Sequence, residues 1–249
     1  MLINSSQLPD KGKRSSGVGS FNIYPLTFRE LLRYLGDEQT TETQEYVRAL
    51  TYMVQLDPEI AKVSLLNADY LIYIFKALSA SKDLKLILRC NCEYCGKPHS
   101  VSVKLNAIEF NDLSDKALSI KYVTINGKKI RFGYSTIGDF IAFIGRLGRY
   151  EDNIGIDALK LACMLKLPID ESLKVISNAH QDGIAVIHKL DKMLFNLIEP
   201  IYIKCPEHKE LRGTAATFRM SAADFFQDVL QLSKLDEDSI LFDEICETE

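Results

Sequence analysis

The period of the apolar residues changes repeatedly along this chain, and those changes restrict the fold more than any other feature of the sequence. From about 26 to 78 apolar side chains recur every three or four residues, the spacing of amphipathic helices. Leu26, Phe28, Leu31, Leu32 and Leu35 form a first stripe, opened by Pro25 and closed by Gly36. Thr41 begins a second helix with Tyr46, Val47, Leu50, Met53 and Val54 on one face, punctuated by Asp57-Pro58. Asn67 is the expected N-cap of a third, carrying Leu71, Ile72, Ile74, Phe75 and Leu78. These three are expected to pack as a bundle.

The pattern then turns to alternation and β-branched residues in Lys85–Arg89, Ser100–Lys104, Ile120–Thr124 and Lys129–Gly133. Asn126-Gly127 is a hairpin signal between the last two, and the reading is a small antiparallel sheet over 84–134. Helical stripes resume between 136 and 198. Ile137, Phe140, Ile144 and Leu147 mark one, and Ile156, Leu159, Ala162 and Leu165 a second; a third begins near Asp170 and a fourth near Asp182. Strand-like runs return at Ile201–Lys204 and Thr214–Arg219, and Ser221 caps a last helix with Phe225, Phe226, Val229 and Leu230.

This order predicts an α+β fold, with helical bundles flanking a small antiparallel sheet to which the late strands return. Residues 1–20 carry few large apolar groups and read as a flexible N-terminal arm, either a disordered terminus without function or a segment that orders on a partner. Residues 21–235 read as a single α+β domain: helical over 21–82, sheet over 84–134, a helical insertion over 136–198, then returning strands and a last helix over 200–233. Residues 236–249 form an acidic tail.

Charge narrows the partners. The formal net charge is -4, and basic residues cluster only in the arm, so phosphate-mediated binding to nucleic acid is not expected. No apolar run approaches the roughly 18 residues that span a bilayer. The first residues lack a signal-peptide pattern, so a cytoplasmic protein with no membrane contact is expected.

In a reducing compartment clustered cysteines point to metal before disulfides. Cys90-Asn-Cys92-Glu-Tyr-Cys95-Gly96 and Cys205-Pro-Glu-His208 each place two donors three positions apart between strand-like runs. Two such turns are the layout of a zinc-ribbon-like pair of knuckles, with Cys92, Cys95, Cys205 and His208 as the ligand set for one structural Zn2+ and Cys90 or His99 as substitutes. Four filled ligands close the site, which makes the metal a staple and leaves no position for a substrate. No phosphate-cradling glycine loop, Gly-x-Ser-x-Gly elbow or His-Glu-x-x-His pattern occurs, and no catalytic residue is assigned. Cys163, on an apolar face with Leu159 and Ala162, reads as a core thiol.

Several short patterns occur in an order that is informative together. They are Leu8-Pro9, Pro25-Leu26-Thr27-Phe28-Arg29-Glu30, Ala68-Asp69-Tyr70, Ser79 and Ser81, Cys92-Glu-Tyr-Cys95-Gly96, Ile130-Arg131-Phe132-Gly133-Tyr134, Cys205, and Ala223-Asp224-Phe225-Phe226. In this order, over roughly residues 6–232, the chain resembles the baseplate-hub assembly family of T-even-like bacteriophages. It departs from the family pattern at His208-Lys209, where a Cys-Gly pair is expected, and at Gly133-Tyr134. The resemblance implies a non-enzymatic assembly factor or structural subunit of the tail baseplate hub. Its partners would be other hub or tail proteins, and its place the host cytoplasm during assembly or the virion baseplate. Phe225 and Phe226 are adjacent, so one narrow helical stripe cannot bury both, and they are the expected partner contacts. The competing expectation is a zinc-ribbon regulator that binds nucleic acid.

Overall fold

A computed structural model describes residues 1–15, 17–27, 42–79, 84–89, 98–103, 109–147, 154–195, 197, 201–203 and 214–216. In them helices alternate with two-stranded antiparallel pairs, a mixed α+β architecture. Helix α1 (Glu42–Leu56) buries Thr43, Tyr46, Ala49, Leu50 and Met53, one stripe at three- and four-residue spacing. It ends where Pro58 disfavours helical backbone at the residue before it, and Asp57 is extended (φ -141°, ψ 101°). One Asp57 oxygen accepts the Glu59 N–H at 3.1 Å and so caps a 3-10 turn at Pro58–Lys62. The other accepts the Asn22 N–H at 2.7 Å.

Helix α2 (Ala68–Ser79) follows a second 3-10 turn, Leu65–Asn67, and Leu71, Ile72, Tyr73, Ile74 and Phe75 are all buried, so it runs through the interior. Asn67 marks its start, as the sequence predicts, but the amide group serves another purpose. Its Oδ1 accepts the Asp10 N–H at 3.2 Å and its Nδ2 donates to Ser15 Oγ at 3.4 Å. The stripe expected over 26–35 falls, beyond Thr27, outside the described residues.

The N-terminal segment corrects the expectation of a flexible arm. Strands β1 (Leu2–Asn4) and β2 (Ser20–Asn22) pair antiparallel, Leu2 opposite Asn22. Ile3, Leu8, Val18, Phe21 and Ile23 enter the same core as the helices. Composition underrates this segment because Ile3, Leu8 and Val18 are buried, although Met1 and Leu2 are exposed, and because its buried polar residues, Asp10 and Ser15, are hydrogen-bonded.

The strands also correct the expectation of one sheet. Among the described residues β3 (Leu84–Arg89) pairs only with β4 (Pro98–Val103), β5 (Tyr122–Ile125) with β6 (Lys128–Arg131), and β7 (Ile201–Ile203) with β8 (Thr214–Ala216). Among the described residues the late strands pair with each other and not with the earlier ones. Past the end of β6 the chain already has partners: Phe132 bridges to Leu165, and the Gly133 N–H donates to the Met164 carbonyl at 2.9 Å. A helical connection thus takes the hydrogen bonds a further strand would need. Between β5 and β6, Asn126 (φ 51°) and Gly127 (φ 73°) form the tight turn their sequence demands. The Asn126 side chain accepts the His180 N–H at 2.9 Å and donates to the Asn178 carbonyl at 3.1 Å, tying this hairpin to a helix connection.

A short helix α3 (Asp115–Leu118) is capped by Ser114, whose Oγ accepts the Ala117 N–H at 3.2 Å. Helix α4 (Ile137–Leu147) opens with a reciprocal cap: Thr136 Oγ1 accepts from the Asp139 N–H at 3.1 Å, and Asp139 Oδ2 from the Thr136 N–H at 2.9 Å. It buries Ile137, Phe140, Phe143, Ile144 and Leu147. Helices α5 (Ile156–Met164), α6 (Ile169–Ser177) and α7 (Gln181–Leu194) complete the helical part. No helix among the described residues is long and apolar enough to cross a membrane.

Candidate functional site

The innermost pair of the β3–β4 ladder is Arg89 with Pro98, so the connection over 90–97 carries Cys90, Cys92 and Cys95. The innermost pair of β7–β8 is Ile203 with Thr214, so the connection over 204–213 carries Cys205 and His208. Each predicted pair of ligands therefore lies in the link of an antiparallel hairpin, and two thiols with a thiol and an imidazole suit Zn2+. Cys92, Cys95, Cys205 and His208 themselves, like Cys90, lie outside the described residues; so do Phe225 and Phe226. His99 sits in β4 opposite Leu88. Among the described residues no group of three or more His, Cys, Asp or Glu is disposed to hold a metal ion.

A different polar site lies inside the helical part. The Lys160 side chain, on α5, is only 1% exposed, and its ammonium reaches both Asp69 oxygens at 2.8 Å and Asp157 Oδ1 at 2.9 Å. Its three N–H donors thus have three carboxylate oxygens. Tyr46, from α1, donates its hydroxyl to Asp69 Oδ1 at 2.6 Å. The ammonium also lies 4.5 Å from the Phe195 ring centroid and 5.1 Å from that of Tyr46. Burial alone pulls the Lys160 pKa down, but Asp69 and Asp157 outweigh it and the net shift is upward, so the group stays charged. The Tyr46 phenol is pushed well above its usual range, by burial first and then by the Asp69 charge and hydrogen bond. This cluster joins α1, α2 and α5. The sequence did carry a signal for it, a lysine between Leu159 and Leu161 in an apolar stripe with Asp157 one turn earlier.

A second buried charge holds the N-terminal segment. Asp10, fully buried, accepts the Gly12 N–H at 2.9 Å, the Arg14 N–H at 3.1 Å and the Ser15 hydroxyl at 3.2 Å. Ser15 Oγ in turn accepts the Ser64 N–H at 3.1 Å, which fixes the loop to the start of the α2 region. The basic residues of this loop face partners within the chain. Lys11 pairs with Asp112 at 2.8 Å and Lys13 with Asp115 at 2.6 Å. The Arg14 guanidinium donates to the Leu118 carbonyl and lies 4.4 Å over the Tyr134 ring. Tyr134 donates to the Ala117 carbonyl and accepts the Ile120 N–H at 2.9 Å, so its ring and hydroxyl bind this whole corner together.

Cys163 is half-buried on α5, and burial pushes its thiol up to about 11, which keeps it protonated and inert at neutral pH. His180 occupies the N-cap position of α7 without a side-chain cap, and His188 is exposed on the same helix. Comparison with protein-family models, with curated proteins and with solved structures gives no match to this chain.

Proposed function

We propose that this chain is a non-enzymatic assembly factor or structural subunit of a bacteriophage tail baseplate hub, acting through contacts with other hub and tail proteins. One observation carries the reading beyond the order of the short sequence patterns. Within the described residues, several of those patterns coincide with residues that join distant segments. Leu8 is fully buried in the shared core, the Leu26 N–H donates to Ser79 Oγ at 3.0 Å, Asp69 holds Lys160, and Phe132 bridges to Leu165. Patterns that fix a fold are what two proteins of one architecture share, and this supports treating the resemblance as one of fold. In this reading one structural Zn2+ is held by Cys92, Cys95, Cys205 and His208, and Phe225 or Phe226 docks on a partner. The work takes place in the host cytoplasm, and as a structural subunit the protein would remain in the virion baseplate.

The test is recovery of the tagged protein from phage-infected cells, with mass spectrometry of what accompanies it, beside electron microscopy of phage in which its gene is inactivated. Hub or tail proteins in the eluate and absent or defective tails are expected. Normal tails without the protein would sink the proposal.

A zinc-ribbon regulator that binds nucleic acid is the second reading, favoured by the two hairpins that bracket the ligand pairs. Against it stand the net charge of -4 and the internal pairing of Lys11, Lys13 and Arg14. Retention on DNA that fades with modest salt would favour it.

A further inference from the structure

Helix α4 and the connection between α5 and α6 enclose a groove of about 620 Å³. Phe143, Leu165, Leu167 and Ile169 line it with apolar surface, and Arg146 and Lys166 add two exposed cations. Neither cation has an ion-pair partner among the described residues, whereas the acid that shares the groove, Asp139, accepts the Thr136 N–H in the cap of α4. The Lys166 stem lies across Gly133, where a Cβ would stand 2.3 Å from its Cε as it is placed. A groove with apolar walls and two unspent positive charges suits a segment that alternates acids with large apolar residues.

The chain itself contains one. Asp236-Glu-Asp-Ser-Ile-Leu-Phe-Asp-Glu-Ile-Cys-Glu-Thr-Glu249 interleaves seven carboxylates with Ile240, Leu241, Phe242 and Ile245. Reach does not limit it. Even with the helix expected after Ser221, the roughly 20 residues from the end of β8 to Asp236 reach about 40 Å, against a radius of gyration of about 18 Å for a domain of this size. We propose that the groove seats this C-terminal segment of the same chain, its Ile-Leu-Phe run on the apolar walls and its flanking acids on Arg146 and Lys166. This inference is independent of the baseplate-hub reading.

A full-length chain with a photo-crosslinking benzoylphenylalanine at position 142, an exposed alanine in the groove, tests it. Irradiation, tryptic digestion and mass spectrometry should recover crosslinks to the peptide that follows Lys234. Two exposed charge pairs at ordinary strength predict that Arg146→Glu with Lys166→Glu lowers the yield about 5- to 10-fold. Asp243→Lys with Glu244→Lys should lower it similarly, and all four changes together should restore it, which a merely unfolded variant would not do. Crosslinks confined to other peptides, a yield indifferent to both reversals, or crosslinks that join isotopically heavy to light chains in a mixture would each overturn the proposal.

Discussion

Asp10 and Lys160 are both charged and both buried, but they are satisfied by different kinds of neighbour. Asp10 takes its partners from its own loop, the N–H groups of Gly12 and Arg14 and the hydroxyl of Ser15, all within five positions. Lys160 takes one carboxylate from the preceding turn of its helix and the other from Asp69, 91 positions away on α2. The first arrangement shapes a backbone: it closes a turn in which Lys11 (φ 53°) and Gly12 (φ 72°) both have left-handed conformations. The second shapes packing, because it exists only when α1, α2 and α5 are already together. A local site of this kind can form early and survive partial unfolding; a non-local one is cooperative with the whole helical core.

The largest effect that could break this comparison is Asp69→Ala. It leaves a buried ammonium with a single carboxylate, and a loss of about 3–5 kcal/mol is expected in denaturant titration. A loss below about 1 kcal/mol would mean that Asp157 alone satisfies Lys160, and the cluster would be local after all. Asp10→Ala comes next, at about 2–3 kcal/mol, because it leaves the part-buried Gly12 and Arg14 N–H groups and the buried Ser15 hydroxyl without their acceptor. Hydrogen exchange should show that this loss is concentrated in residues 1–27, and protection lost evenly across α1, α2 and α5 would argue against a local role. Lys160→Met should cost only about 1–2 kcal/mol. It removes the charge most fully buried, and the carboxylates left behind are 29% and 23% exposed and can take up water.

Alkaline pH sharpens the contrast in another way. Lys160, Tyr46, Tyr73 (up to about 12) and Cys163 (up to about 11) all hold their protons more tightly in the folded chain than their ordinary values. Above those ordinary values the unfolded chain releases protons first and gains relative stability. The stabilisation is therefore complete below about pH 9 and is lost progressively through pH 12. Tyr46→Phe should flatten that limb and, by removing a hydrogen bond to a carboxylate, cost about 1.5–3 kcal/mol at pH 7. An unchanged alkaline limb would remove Tyr46 from the account. The smallest effect belongs to Lys11→Ala, below about 1 kcal/mol and abolished by salt, since the side chains of its pair with Asp112 are 50% and 60% exposed.

Helix positions were legible in the sequence to within a few residues wherever one face is apolar, as in α1, α4 and α7, because burial of a stripe imposes the 3.6-residue period directly. The Asn126-Gly127 turn and the Asp57-Pro58 stop were legible for the same reason: their backbone conformations are set by the residues that occupy them. The candidate metal ligands show a partial case. Their spacing is local and visible, and the two hairpins that bracket them are visible too, but bringing one link to the other is a matter of tertiary geometry.

The N-terminal segment was misread because composition weighs each residue alone. Leu8 and Phe21 are buried in the core shared with the helices, and the Asp10 N–H and Ser15 hydroxyl are tied to Asn67 and Ser64, about 50 positions further on. Which residues turn, which cap and which face inward is thus readable from the amino-acid order alone, since those follow from steric limits and periodicity within a few positions. It took the folded chain to show that, among the described residues, each strand pairs only within its own hairpin, that residues 1–20 join the core, and that Lys160 is buried. Each of these depends on hydrogen bonds or charges supplied by segments far away in the chain, and no local pattern encodes a partner's arrival.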